Sequence, residues 1–202
     1  MILKKLNSNA KITDRFLKKY LKNQHKSLLI EPMKYGVLSG GKKIRSTIIF
    51  ETGKIFNLST KKLINICGAV ECIHSYSLIH DDLPCMDNDK IRRGKPATHI
   101  KYGEATAVLA GNSLLTLAFE MIADNKYLIN NKFKVELIKA LSLCSGHSGI
   151  AGGQELDLKY ENKKRNIKQI TEMQKKKLEN CLIFVVLPLE LLLEKIKKRN
   201  FF

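Results

Sequence analysis

The sequence predicts an all-α protein, and three observations carry that reading. Apolar residues recur at three- and four-residue intervals over most of the chain, the spacing of helical faces. No run alternates strictly enough between apolar and polar residues to mark a strand. Glycine and proline, with 12 and 4 occurrences in 202 residues, are too sparse for a molecule built of turns. Hydrophobic residues make up 44%, which excludes a disordered chain and suffices to fill one domain over residues 1–202.

A first helix is expected over 10–30, with Ile12, Phe16, Leu17, Tyr20, Leu21 and Leu28 as its apolar positions. A second, over 43–57, follows the Gly40-Gly41 break. A third, over 61–80, enters at Ser59-Thr60, whose hydroxyls suit a helix start. The segment 105–123 carries Ala107, Ala110, Gly111, Ser113 and Ala118, small residues that suit close helix packing, in the core or at a dimer seam. Segments 132–149 and 167–182 are further helices. The apolar run 181–193 is shorter than the roughly 20 residues a bilayer span needs. It reads as a buried helix, with a membrane-surface helix left open by Lys195, Lys197, Lys198 and Arg199.

The net charge of +17 is concentrated at the ends. Residues 1–30 carry eight basic residues against one acid, and 159–202 carry twelve against five, whereas 31–158 are nearly balanced. A nucleic-acid binder wants its basic stripe on the working face, so no nucleic-acid partner is expected. Five cysteines, without a C-x-x-C pair, speak against zinc and a disulfide framework and for reduced core thiols. No secretory leader is read after Met1, and the expected compartment is the cytoplasm.

The chemistry concentrates in Asp81-Asp82-Leu83-Pro84-Cys85-Met86-Asp87, followed by Arg92-Arg93-Gly94. Carboxylates this dense repel one another unless a cation lies between them, and carboxylate oxygens suit Mg²⁺, which also takes phosphate oxygens and water. The arginines offer forked donors matched to phosphate. On an unbroken helix, Asp81 and Asp87 would point roughly 240° apart. Pro84 disfavours helix at the residue before it. A helix ending near Leu83 is therefore expected, with the chain curling so that Asp87 faces Asp81.

Gly40-Gly41-Lys42-Lys43-Ile44-Arg45 is the second signal. Glycines before a helix let backbone amides approach an anion, and Lys42 and Arg45, three apart, would share one helical face as a phosphate clamp. It is not a Walker loop, because the first glycine of that spacing is missing and Ile44 stands where Ser or Thr belongs. His74 precedes Asp81 by seven residues, about two turns along one face. Gln154 and Asp157, within Gly152-Gly153-Gln154-Glu155-Leu156-Asp157, are spaced to face a pocket together.

The segments 40–46 (GGKKIRS), 72–99 (CIHSYSLIHDDLPCMDNDKIRRGKPATH) and 152–158 (GGQELDL), in this order, resemble the trans-prenyl diphosphate synthases, most closely the bacterial farnesyl diphosphate synthase type. The resemblance covers roughly 30–177, with 178–202 as a divergent tail. It implies an isoprenoid-synthase-type helical bundle around a central apolar cavity, incomplete at its C-terminal end. It further implies a cytoplasmic homodimer, without stable membrane insertion, that joins isopentenyl diphosphate to an allylic diphosphate with Mg²⁺ as cofactor. Carried over by position, Lys42, Arg45, His74 and Arg93 correspond to isopentenyl diphosphate contacts. Asp81 and Asp87 correspond to metal ligands, with Asp82 beside them. Arg92 and Lys177 correspond to allylic diphosphate contacts, and Tyr76 to the bulky residue that stops chain growth at fifteen carbons.

The family carries a second Asp-rich motif, and here the only acids after Asp157 are Glu161, Glu172, Glu179, Glu190 and Glu194. The sequence thus leads to the expectation of a truncated chain. It leaves open a catalytically impaired homologue or a regulatory subunit beside the active farnesyl diphosphate synthase. A metal phosphohydrolase built on His80-Asp81 needs a further histidine ligand upstream, where only His25 and His74 stand, and it leaves GGKKIR and RRG unexplained.

Overall fold

The computed structural model of the chain describes residues 2–127, 130–161 and 163–176. Among these residues lie helices α1 (Ile2–Lys22), α2 (Ile30–Val37), α3 (Ile44–Ile55) and α4 (Thr60–Asp81), then strands β1 (Ile91–Arg92) and β2 (Lys95–Pro96). Helices α5 (Thr98–Tyr102), α6 (Glu104–Ala123), α7 (Asn131–Ser145), α8 (Ile150–Tyr160) and α9 (Ile167–Gln174) follow. The all-α expectation holds. Lys177 and the apolar run 181–193 lie outside the described residues.

The bundle is organised by α4 and α6, which share the most extensive helix contact. Small residues permit it: Ala107, Ala110, Gly111 and Ala118 of α6 are all buried. Leu63, Ile66 and Val70 of α4 pack with Leu114, Met121 and Ile122 of α6, Leu17 and Leu21 of α1, and Leu137 and Leu141 of α7. Each such side chain contributes roughly 1.5–3 kcal/mol by leaving water. By length and composition α6 would also suffice to cross a membrane, but the face named above is spent on the bundle core. Cys67, Cys72 and Cys144 are buried, as expected of core cysteines; Cys85 departs from that expectation and is exposed.

Several boundaries differ from the sequence reading for identifiable reasons. The single helix expected over 10–30 is two. α1 runs from Ile2 to Lys22, and α2 starts only at Ile30. Leu28, counted as an apolar face position, is 96% exposed in the connection, where the Ser27 carbonyl accepts from Ile30 N at 3.2 Å. The segment 132–149 breaks at Gly146, so that α7 and α8 are separate. Asn130 caps α7 by accepting from the amides of Lys132 and Phe133. The described part of 167–182 is α9, opened by a capping box between Asn166 and Gln169.

The β1–β2 hairpin is too short for any periodicity to announce it. Its two-residue loop is Arg93-Gly94, both at positive φ, as a type I′ turn requires. The Tyr35 hydroxyl of α2 donates to the Pro96 carbonyl at 2.7 Å, which ties the hairpin to the bundle. Lys101 of α5 sits 4.1 Å over the Tyr35 ring and closes the same corner.

Gly68 marks a close approach of α1, α4 and α6: a Cβ there would stand 2.6 Å from Phe16 Cε1 and 3.0 Å from Met121 Sδ. Gly68→Leu is expected to destabilise the protein by about 1–3 kcal/mol, the usual effect of overpacking. Urea unfolding checks it, and an unchanged midpoint would contradict this close approach.

Candidate functional site

The C-terminal end of α4 arranges the acidic residues. The helix stops at Asp81, two residues before the expected Leu83, and the chain turns through Pro84. It then comes back: Asp87 N donates to the Asp81 carbonyl at 2.8 Å, and Asn88 N to the Leu83 carbonyl at 3.1 Å. This is the curl that the seven-residue spacing requires. Asp81 is half-buried and Asp87 exposed, on one closed loop.

Asp82 behaves differently from its neighbours. It is buried, and its Oδ1 accepts from Arg92 Nε at 2.8 Å and from Arg92 Nη2, while Nη2 also reaches Asp89 at 2.9 Å. Burial pushes the Asp82 carboxyl upward from its ordinary value, and the Arg92 donors pull against that rise. Asp82 therefore holds Arg92 in place across the hairpin.

The second cluster gathers residues far apart in sequence. Gly40 and Gly41 have φ of 96° and 102°, which disfavours any side chain there. A Cβ on Gly41 would stand 2.8 Å from Arg93 Cζ, so the glycine admits the guanidinium. Arg93 Nη1 donates to the Gly40 carbonyl and lies 3.4 Å from Ser39 Oγ. The GGKK loop and the RRG hairpin are thereby joined. The His74 ring is held neutral down to a pKa of about 3, first by burial and then by the charges of Arg45, Arg93, Lys43 and Arg92. Arg45 and Arg93 thus concentrate positive potential around a neutral His74.

One expected feature of that clamp does not hold. α3 begins at Ile44, so Lys42 precedes the helix and does not share a helical face with Arg45. Lys43, at φ 45°, is the turning point, with exposed Lys42 on one side and half-buried Arg45 on the other.

Below the acids lies a cleft of about 200 Å³, lined by Tyr76, His80, Asp81, Met86, Ile150 and Gln154, among others. Tyr76 stacks edge-on against His80, with ring centroids 5.2 Å apart. His80 Nε2 is engaged with the Val108 carbonyl at 3.1 Å, which draws its ring toward α6. Gln154 Nε2 lies 3.4 Å from Asp87 Oδ1, a contact that the spacing of Gln154 and Asp157 only hinted at. Asp157 lines an adjoining cleft of about 410 Å³ together with Asp87. Among the described residues, no three His, Cys, Asp or Glu side chains are grouped to hold a metal ion. Two carboxylates on a loop nonetheless fit Mg²⁺, which characteristically takes one or two carboxylates and completes its shell with phosphate oxygens and water.

Comparison with known proteins now bears on this geometry. The polyprenyl synthetase family model matches residues 26–201, and the chain belongs to that family. It is 48% identical over 147 residues to a farnesyl diphosphate synthase of Buchnera aphidicola subsp. Acyrthosiphon pisum, covering 72% of this chain and 52% of the relative. It is also 48% identical over 136 residues to the farnesyl diphosphate synthase of Escherichia coli, covering 67% of this chain and 46% of the relative. The chain spans about half the length of these curated relatives. Among solved structures, an apo FPP/GFPP synthase from Zymomonas mobilis superposes with a TM-score of 0.85 at 37% identity, over 90% of this chain and 66% of that one. A geranyltransferase from Legionella pneumophila gives 0.86 at 32% identity, over 89% and 65%. The expected isoprenoid-synthase-type bundle is thus the fold of this chain.

His74 gives the site a pH signature. The folded state keeps the ring neutral to about pH 3, while the unfolded chain takes up a proton near 6.5. Its contribution to stability is therefore complete above pH 6.5 and is lost as pH falls from 6.5 toward 3. Between pH 7.5 and 5.0 the loss is expected to be about 2 kcal/mol, from 1.36 kcal/mol per pKa unit. Urea unfolding at both values should show this loss in the wild type and a smaller one in His74→Gln; equal losses would contradict it.

Proposed function

We propose that this protein is a prenyltransferase of the farnesyl diphosphate synthase type, which condenses isopentenyl diphosphate with an allylic diphosphate. The observation that carries the reading is the junction of Arg93 with the Gly40 carbonyl, which sets the second cationic motif against the first, beside the Asp81–Asp87 loop. One side of the site is cationic and suits a diphosphate directly. The other is acidic and suits a diphosphate only with a divalent cation. The names of the relatives point to the same chemistry.

In this reading Lys42, Arg45, His74 and Arg93 bind the diphosphate of isopentenyl diphosphate. Asp81 and Asp87 hold Mg²⁺, and Arg92, fixed by Asp82, binds the allylic diphosphate, which Lys177 also contacts. Bound magnesium supplies charge neutralisation for the leaving group. The allylic C–O bond breaks and releases diphosphate. The double bond of isopentenyl diphosphate forms the new C–C bond to the allylic carbon, and the proton then lost passes to the released diphosphate. The residues contribute charge already in place before the bond breaks, the form of stabilisation worth most in a site that excludes water. Catalysis thus rests on Asp81, Asp82, Asp87 and Arg92, without a general-base side chain.

Tyr76, half-buried below Asp81, is the proposed stop for the growing chain. The proposed setting is the cytoplasm. The proposed assembly is a homodimer, for which the exposed Val108 and Leu109 on α6 offer an apolar face.

Purified protein supplied with Mg²⁺, labelled isopentenyl diphosphate and geranyl diphosphate is expected to make a fifteen-carbon product. Asp81→Ala should reduce that rate by at least about 100-fold, the scale of losing a group that positions the reacting atoms. Absence of product from folded wild-type protein would overturn the proposal. Tyr76→Ala is expected to shift the product to twenty carbons or more, and an active variant with an unchanged profile would refute that role.

A further inference from the structure

Lys43 stands between two residues assigned to an anion, yet it points the opposite way. Its side chain is buried, and its Nζ donates to the Val37 carbonyl at 2.6 Å, at the C-terminal end of α2. A cation there satisfies a helix-terminal carbonyl and lies at the negative end of the helix dipole. The same Nζ lies 3.7 Å from Glu71 of α4 and 3.6 Å from Asp14 of α1. Glu71, itself buried, reaches the start of α3: its Oε1 accepts from Ser46 Oγ at 2.8 Å and from Ser46 N at 3.4 Å. The residue preceding α3, Lys43, makes no side-chain cap, so Glu71 supplies a carboxylate to its first turn from another helix.

Four helices are thereby tied to one turn of chain. Buried ion clusters are poor sources of stability, and replacing them by neutral groups often stabilises a protein, whereas removing one partner alone is harmful. Stability alone thus gives little reason for burying two opposite charges under an anion loop. Lys43 holds the left-handed conformation that few non-glycine residues adopt, and that conformation is what sends Lys42 and Arg45 outward to either side. Glu71 also stands one turn before His74 on α4, so the same carboxylate relates the loop to the histidine.

We propose that Lys43 and Glu71 are positioning residues that set the 40–45 loop so that Lys42 and Arg45 address a single diphosphate. This inference rests on the reading of that loop as the isopentenyl diphosphate site. It assigns the two adjacent lysines opposite roles: Lys42 meets the ligand, and Lys43 meets the protein.

The test is equilibrium binding by calorimetry. Isopentenyl diphosphate is titrated without metal, and geranyl diphosphate with Mg²⁺. Lys42→Ala is made first: loss of isopentenyl diphosphate binding supports the loop reading, and unchanged binding overturns that reading together with this inference. Lys43→Met/Glu71→Gln removes both fully buried charges at once, and the Asp14 carboxylate that loses Lys43 is partly exposed to solvent. It is expected to unfold at the wild-type urea concentration or higher, and to bind isopentenyl diphosphate about tenfold more weakly, short of the ~100-fold that a 1 Å misplacement can cause. Its affinity for geranyl diphosphate should remain within about twofold, since that diphosphate is held by the acidic loop through the metal. Wild-type affinity for isopentenyl diphosphate in the folded double variant, or an equal loss for both ligands, would overturn the proposal. If the double variant does not fold, Asp14→Asn decides. Asp14 is partly exposed, and its replacement by the isosteric amide removes one charged anchor from Lys43. A loss confined to isopentenyl diphosphate supports the proposal, and unchanged affinity refutes it.

Discussion

Asp82 is a carboxylate buried at the negative end of a 22-residue helix, and Arg92 is what makes that placement tolerable. Both the burial and the helix dipole act against the charge. The guanidinium offsets them only by reaching back over the end of α4, and that reach defines the hairpin. The hairpin in turn carries Arg93 to the Gly40 carbonyl, while Tyr35 fastens its other strand through Pro96. The geometry of both charged clusters therefore follows from one ion pair between a buried carboxylate and a half-buried guanidinium. Removing Arg92 would leave the buried Asp82 carboxylate uncompensated, whereas Arg92 without Asp82 would still have Asp89 and solvent, so the pair matters most to the acid.

The site separates its charges with little space between them. Asp81 and Asp87 are turned to one side by the curl after α4. Arg45, His74 and Arg93 are gathered on the other, closely enough that burial and their charges hold the histidine neutral. Two diphosphates of like charge need two different means of attraction if they are to lie side by side. One can be met by protein cations. The other can be met by carboxylates only through an intervening divalent ion. The reading of the molecule as a prenyltransferase follows from that asymmetry as much as from its membership in the polyprenyl synthetase family.

The legible part of the sequence was the part governed by local rules. Helical spacing announced α3, α4 and α6 within a few residues, and Pro84 with the Asp81–Asp87 spacing announced the curl. The hidden part depended on tertiary partners. Nothing local distinguishes Lys42 from Lys43, because the difference is the presence of Val37, Asp14 and Glu71 around one of them. Asp82 differs from its neighbours through Arg92, a partner ten residues away that no local pattern announces. Leu28 fitted an apolar face by spacing yet lies exposed, and this concealed the break between α1 and α2. The β1–β2 hairpin is shorter than any periodic signal, and only the Arg93-Gly94 turn, with both residues at positive φ, marks it locally.

In the proposed site the acidic loop attracts a diphosphate through a metal, and the cationic cluster attracts one directly. The most direct measurement replaces Mg²⁺ with paramagnetic Mn²⁺ and follows backbone amide resonances with geranyl diphosphate present. The account predicts that the amides of Asp81, Asp87 and Gln154 broaden strongly, and that this broadening requires the diphosphate as well as the metal, since two carboxylates make a weak site alone. Broadening centred elsewhere, or strong broadening at the loop without any diphosphate, would contradict it.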